Sequence, residues 1–321
     1  MSLRVVGPMV LLLLEYAFVL AVGPLLLSLG RRVKARSQGR TGSPLLQPYR
    51  DLWKLLGKGA IYSDTSSWLT RWAPAVSFAA LLAAVPLIPW LVLPAPLGYV
   101  GDLIVLVGLL ALSRFIVALA ALDAGSTFGG MGSSRDMWMG ALAEPVFLLV
   151  IFAFGGPAGS TQADVIAARG VALGLGYLSP PLLLAVVAYV LLLLVETGRL
   201  PVDNPATHLE LTMVHEAQTL EYTGRDLALL EWGQGLKLAL MLGLLAALAV
   251  PWGLATTWGL LFLLAALAVT SLKLLGGHLF VSGLETRLAK WRLFRVPDLT
   301  TLAVVLAFGS LALTYVVGGG A

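Results

Sequence analysis

The chain alternates long apolar runs with short polar intervals, and few of the runs show a polar face of their own. About eight runs of roughly twenty residues recur, centred near Leu14, Leu82, Leu109, Leu149, Val187, Leu244, Leu264 and Leu306, each long enough to cross a bilayer as a helix. The pattern predicts an all-α polytopic integral membrane protein, one membrane domain over residues 1–321. Three polar intervals are expected as loops on one side: a basic, amphipathic one at 30–71, a Gly-rich one at 123–137 and an acidic one at 196–234. Residues 155–176, rich in small side chains around Asp164 and Arg169, read as an irregular connection on the other side. The first run continues to Leu29 and meets Arg31 and Arg32 without a small-residue cleavage site, so it is expected to be a retained helix and not a signal peptide.

Charge fixes the expected orientation. Arg31, Arg32, Lys34, Arg36, Arg40, Arg50, Lys54, Lys58 and Arg71 fall between the first two runs, and Arg287, Lys290, Arg292 and Arg295 between the last two. The opposite side offers little beyond Arg4 and Arg169, which places the polar intervals in the cytoplasm and both termini outside a cell membrane. A chain that is 59% hydrophobic and 12% charged cannot be a soluble fold. Its net charge of +4 sits in loops without interleaved exposed aromatics, so nucleic acid is not an expected partner. With no cysteine and three histidines, the chain offers no ligand set for an iron–sulfur cluster or a metal, and no cofactor of its own is expected.

The acidic interval carries the candidate chemistry. Pro201 and Pro205 each lack an N–H and forbid one continuous helix, which puts Glu196, Arg199 and Asp203 on an irregular segment. Asn204 is expected to cap a new helix with Pro205 at its first position. Helical spacing then sets Leu209, Met213, Ala217 and Leu220 on one side, against His208, Thr212, His215 and Thr219 on the other, with Glu216 beside them. Carboxylates at a membrane boundary take up and release protons near neutral pH; a loop whose acids only face water is the simpler alternative. Glu15 stands in the middle of the first run and Arg114 in the third, for which Glu144 is the candidate partner. Lys237, Lys273 and His278 are expected near the loop ends of their helices, where snorkelling accounts for the lysines; of these only Lys237, which follows Glu231, has a claim to function. The glycines of 125–132 follow no strand and precede no Lys-Ser/Thr, which argues against a phosphate cradle. Around Gln47 to Lys58, Leu52, Leu55 and Leu56 share a face and predict a short interfacial helix.

The order Glu-x-x-Arg-x-Pro-x-Asp followed by Glu-Tyr-x-Gly, at Glu196, Arg199, Pro201, Asp203, Glu221, Tyr222 and Gly224, resembles the loop of the respiratory complex I subunit that holds the quinone chamber. The run Asp203 to Met213 resembles still more closely the counterpart in energy-converting [NiFe] hydrogenases and formate hydrogenlyases, and complex I proteins usually carry an acidic Glu-x-Glu where this chain has Ala206 and His208. Leu45-Leu46-Gln47-Pro48, Lys54-Leu55-Leu56 and Ala143-Glu144-Pro145 fit the same branch, so the resemblance runs from the first loop through Glu231. It implies a membrane anchor subunit of such a complex, without redox chemistry of its own, that links electron transfer to ion translocation. Peripheral hydrogenase large and small subunits would carry the nickel–iron site and iron–sulfur clusters, and antiporter-like membrane subunits would move ions. On this resemblance Glu15, Glu144, Glu196, Asp203, Glu210, Glu216 and Glu221 form the proton path, tuned by Arg114, Arg199 and Lys237. Gln47, Tyr49, Arg50, Lys54, Arg135 and His208 dock the peripheral arm. Two alternatives stay open: a quinone-chamber subunit of complex I, with quinone as ligand, and a free-standing proton-coupled transporter.

Overall fold

The computed structural model describes residues 3–203, 213–257, 259–289, 291 and 293–318. Seven of its helices are long and apolar enough to cross a membrane: α1 (Leu3–Ser37), α3 (Trp68–Ala84, continued by a 3-10 turn, Val85–Leu87), α4 (Leu103–Asp123), α5 (Thr127–Gly155), α9 (Gly224–Ala249), α10 (Leu260–Arg287) and α11 (Val296–Gly318). A shorter apolar helix, α7 (Pro180–Glu196), brings the set to the eight apolar runs, each centre falling on one helix. The protein is therefore a multi-pass membrane protein. Among the described residues the remaining α-helices are α2 (Gln47–Leu56), α6 (Ala163–Leu173) and α8 (His215–Thr219).

Polar residues placed at the ends set the helix limits. Ser67 caps α3 and Asp102 caps α4, each side chain accepting a backbone N–H two residues on. Asp123 at the end of α4 accepts from Ser67 and from both the amide and hydroxyl of Thr70, tying the end of one span to the start of another. Pro180 opens α7, where a missing N–H costs nothing. At the centre stands α9, packed against α1, α2, α3 and α10. Gly23 of α1 and Gly235 of α9 meet backbone to backbone: a Cβ on Gly23 would lie 2.9 Å from the Gly235 carbonyl carbon. Small residues at a helix crossing allow this approach and bring the faces on either side of it together.

Helices α2 and α8 lie at one end of the bundle, called here the α2 face. The opposite end is closed by irregular backbone folded into the protein. Between α3 and α4, Leu93 N–H donates to the Ala255 carbonyl at 2.9 Å and Ala255 N–H to Leu91 at 2.8 Å. Trp90, 1% exposed, is pinned by its indole N–H on the Val85 carbonyl, and Thr270 of α10 donates to the Trp90 carbonyl.

Three local expectations give way. Residues 155–176 hold α6, because Ala163, Ile166, Ala167 and Gly170 fall at helical spacing on a buried face; small residues there serve packing. The Gly-rich interval 123–137 is mostly the beginning of α5, capped by Ser126, whose glycines admit neighbours: Gly129 lies under the Ala121 carbonyl and Gly132 under Val214 and Ala217. Lys273 stands midway along α10 and bonds the Trp252 carbonyl toward the opposite end, not the loop end. The Asn204-capped start, with His208 and Leu209, lies outside the described residues. Beyond it α8 is five residues long; Met213 and Ala217 are buried as expected, but Leu220 is exposed and Gln218 is the buried polar residue.

Candidate functional site

The α2 face ends in two buried charged knots. At the centre of the first is Arg114, in the middle of α4 and buried. Its Nη2 lies 2.5 Å from Glu196 Oε2, the last residue of α7, and its Nε 3.7 Å from Asp136 Oδ1 on α5. Lys237 of α9 reaches the same Glu196 oxygen at 3.0 Å. His215 Nε2 stands 3.4 Å from Asp136 and its Nδ1 3.8 Å from Asp203, whose carboxylate also accepts the Val214 N–H at 3.2 Å. Gln218 donates to the second Asp136 oxygen at 3.2 Å. Helices α4, α5, α7, α8 and α9 each contribute, so the knot exists only when all have docked. Leaving one such charge without its partner costs about 3–5 kcal/mol, which makes the arrangement a strong constraint on the fold.

Two glycines make room for it. A Cβ on Gly140 would lie 2.7 Å from Arg114 Nη1, so the guanidinium passes through a space that only glycine leaves. Gly198 turns the chain after α7 with φ +57°, a left-handed conformation, and a Cβ there would strike the His215 ring at 2.5 Å.

The second knot is Glu285 of α10, 2% exposed, held by Lys34 of α1 at 2.9 Å and Arg199 at 3.0 Å. One and two turns below, Ser282 and the fully buried His278 continue along α10 beside Gly30. A cavity of about 180 Å³ joins the two knots, with Glu196, Lys237, Asp203 and His215 on one wall and Arg199, Lys34 and Glu285 on the other. A larger chamber of about 390 Å³ lies between α2 and α9, lined by Asp51, Arg31, Glu216 and Glu231 together with Pro24, Leu52 and Leu227. Among the described residues no three His, Asp or Glu side chains are arranged to hold a metal ion.

Of the predicted path residues, Glu196, Arg199, Asp203, Arg114 and Lys237 converge as described, and Glu216 lines both cavities. Glu144 makes no close ion pair with Arg114, although its charge acts on the guanidinium. It stands two helical turns beyond Asp136 on α5, half-buried in a groove of about 410 Å³ between α4 and α5 whose inner wall is Arg114 and Gly140. Burial favours Glu196 as the partner, since the end of α7 is inside and the groove is open. Glu15 lies apart from both knots, fully buried against the backbone of Leu91 toward the opposite end. Glu221 is half-buried without an ion pair among the described residues, and Glu210 lies outside them.

Of the predicted docking residues, Gln47 donates to Asp51 within α2 at 2.8 Å and Tyr49 bonds the Ala21 carbonyl of α1, so the first supports the helix and the second holds it in place. Arg50 and Lys54 are exposed on its outer face beside Trp53, which is 83% exposed. Arg135 donates to the Met213 carbonyl at 3.2 Å, and His208 lies outside the described residues. A strap from Gly59 to Ser67 runs from α2 to α3 across the start of α9: Ile61 N–H donates to Thr223 and Tyr62 OH to Asp226 at 2.5 Å. That hydrogen bond to a carboxylate raises the Tyr62 pKa, and burial raises that of Tyr222, whose hydroxyl donates to the Thr70 carbonyl.

The sequence reading passed over Asp136, Glu285, His215 and Asp51 as site residues. Asp136 and Glu285 were hidden by neighbours: a Gly-rich run suggested a loop for one, and Arg287 suggested a solvated helix end for the other. The usable signal is that each is an isolated acid within a helix otherwise fit to span a membrane.

The NADH dehydrogenase family profile matches residues 9–317. The chain is 34% identical over 296 residues to formate hydrogenlyase subunit 4 of Escherichia coli (strain K12), covering 92% of this chain and 95% of that one. It is 35% identical over 296 residues to hydrogenase-4 component C of the same organism, covering 92% of each. Its fold is similar to a chain in the structure of the membrane-bound sulfane sulfur reductase, an archaeal respiratory membrane complex, with TM-score 0.83 and 22% identity over 96% of this chain and 99% of that one.

Proposed function

The chain belongs to the NADH dehydrogenase family, and from that premise we propose that it is the membrane anchor and proton-coupling subunit of a hydrogenase or formate hydrogenlyase complex. One observation carries the coupling: Glu196 is shared by Arg114 and Lys237 in a buried knot with a cavity toward the α2 face on one side and the Glu144 groove on the other. A carboxylate between two cations holds its charge, and removal of either cation, or a shift in the Arg199–Pro201 turn, changes which group carries the proton. Protonation then passes from the α2 face toward Glu144, which opens sideways to a neighbouring membrane subunit. The distribution of cations supports a cytoplasmic α2 face, with both termini outside the inner membrane on this reading. Peripheral large and small subunits holding the nickel–iron site and iron–sulfur clusters dock there against Arg50, Trp53 and Lys54, and antiporter-like subunits lie alongside in the membrane.

The test is to make Glu196→Gln, Asp203→Asn and Glu144→Gln in the assembled complex and to measure hydrogenase turnover and ion pumping in sealed vesicles. Assembly with pumping lost is expected; normal pumping in all three sinks the coupling role. Arg50→Glu with Lys54→Glu is expected to release the soluble hydrogenase module at ordinary salt, and a complex that stays whole would place the docking surface elsewhere.

A second reading, a quinone-chamber subunit, is favoured by the size of the chamber beneath α2, within the range of small-molecule sites. Copurification with bound quinone and dehydrogenase subunits would select it.

A further inference from the structure

Three cavities meet at one side chain. The chamber beneath α2, the cavity joining the two knots and a smaller one of about 80 Å³ behind Arg114 all have Gln234 in their walls, and it is the one residue they all share among the described residues. Gln234 lies on α9 three residues after Glu231 and three before Lys237, so the three polar side chains descend one face of the helix in file. Its neighbours Gly233 and Gly235 are buried, yet Gln234 is exposed, and the cavities are where that exposure leads. It makes no hydrogen bond or ion pair among the described residues, although every charged group of the Arg114 knot does.

We infer that Gln234 is the positioning residue that carries a water-borne proton path from the chamber acids Asp51 and Glu231 to the Glu196–Lys237 pair. The inference rests on the coupling role proposed above and adds the entry to it. A carboxamide accepts at Oε1 and donates from Nε2 at once, so one side chain orients water on both sides. It does not titrate, so between the anionic Glu231 and the cationic Lys237 it adds no charge that would hold the proton back. Each cavity, down to the smallest, is larger than the roughly 15 Å³ that a single water needs by this measure. The proton moves between waters and the carboxylates at either end, and no covalent bond of the amide changes.

The experiment compares Gln234→Leu, Gln234→Asn and Glu196→Gln in the intact membrane complex, reading subunit assembly, redox turnover and ions pumped per turnover in sealed vesicles. Gln234→Leu matches the side chain in size and removes both polar functions; it is expected to assemble and to lower pumping about tenfold, equivalent to ~1.4 kcal/mol on the transfer barrier. Gln234→Asn keeps donor and acceptor and should recover most of it. A purely structural role predicts the reverse order, with the shorter Asn the more harmful. If Glu196→Gln abolishes pumping while Gln234→Leu leaves it unchanged, the entry lies elsewhere and the coupling role stands. If neither changes pumping, both ideas fall. If Gln234→Leu does not assemble, a Leu238→Met control that does assemble and pump assigns the defect to packing at Gln234 and overturns the inference.

Discussion

The two ends of the bundle treat their acids in opposite ways. At the α2 face Glu196, Asp136 and Glu285 are matched with cations from other helices, and cavities run beside them. At the opposite end Asp164 is matched with backbone: its Oδ2 accepts the Ala95 N–H at 2.9 Å and sits where a Cβ on Gly98 would be. An acid facing an ion responds when a charge nearby moves, whereas an acid bonded to an amide mainly fixes the chain. The contrast separates carboxylates that can carry signal from those that carry load, and sequence position alone does not.

The largest effect is expected from Arg114→Leu. It leaves Glu196 and Asp136 buried with a reduced set of partners, at a cost of about 3–5 kcal/mol, so the subunit should fail to accumulate in membranes; Arg114→Lys should restore part of the yield. Normal yield and thermal stability of Arg114→Leu would show that the knot is not what holds the α2 face together.

Asp164 gives the intermediate case. Burial raises its pKa above the ordinary carboxylate value, so the folded chain binds more protons than the unfolded one between the two values. Stability at this end therefore falls as pH rises through that window and is greatest on its acid side. Asp164→Asn keeps the acceptor for Ala95 and should flatten the dependence from the ordinary carboxylate value upward, read as the unfolding midpoint in detergent. On the coupling role proposed above, pumping should be unchanged; a loss would make Asp164 part of the proposed path and erase the contrast.

The smallest effect belongs to the strap. Tyr62→Phe removes one exposed-side hydrogen bond to Asp226, worth about 0.5–1.5 kcal/mol, and should raise proteolysis between α2 and α3 without dispersing either knot. Its bond holds below the ordinary tyrosine range and weakens as pH climbs through the raised value.

The same contrast explains what the sequence made legible. Every span could be read, because twenty apolar residues in lipid leave the backbone no choice but a helix. Glu196, Arg199, Asp203 and Lys237 were read too, being charges at the ends of such runs. What escaped was pairing. Arg114 was matched to Glu144, nearer in sequence, because nothing in the chain announces that the end of α7 comes to rest against the middle of α4. Gly129 and Gly132 looked like loop formers, since a glycine that clears space for a neighbouring helix is indistinguishable in one dimension from one that turns the chain. The Gly and Ala of α6 misled for the same reason.

The contact between Gly23 and Gly235 has a consequence for how this face can vary. Where two helices touch through main chain alone, their separation is a fixed length, independent of any side chain chosen nearby. Gln234 and Lys237, immediately beside that contact, are thus mounted on a hinge pin that does not wear: their identities can change the solvent and charge of the passage while its bore stays the same. Single replacements beside this crossing can trade a dry lining for a wet one while the gauge between the two helices stays unaltered.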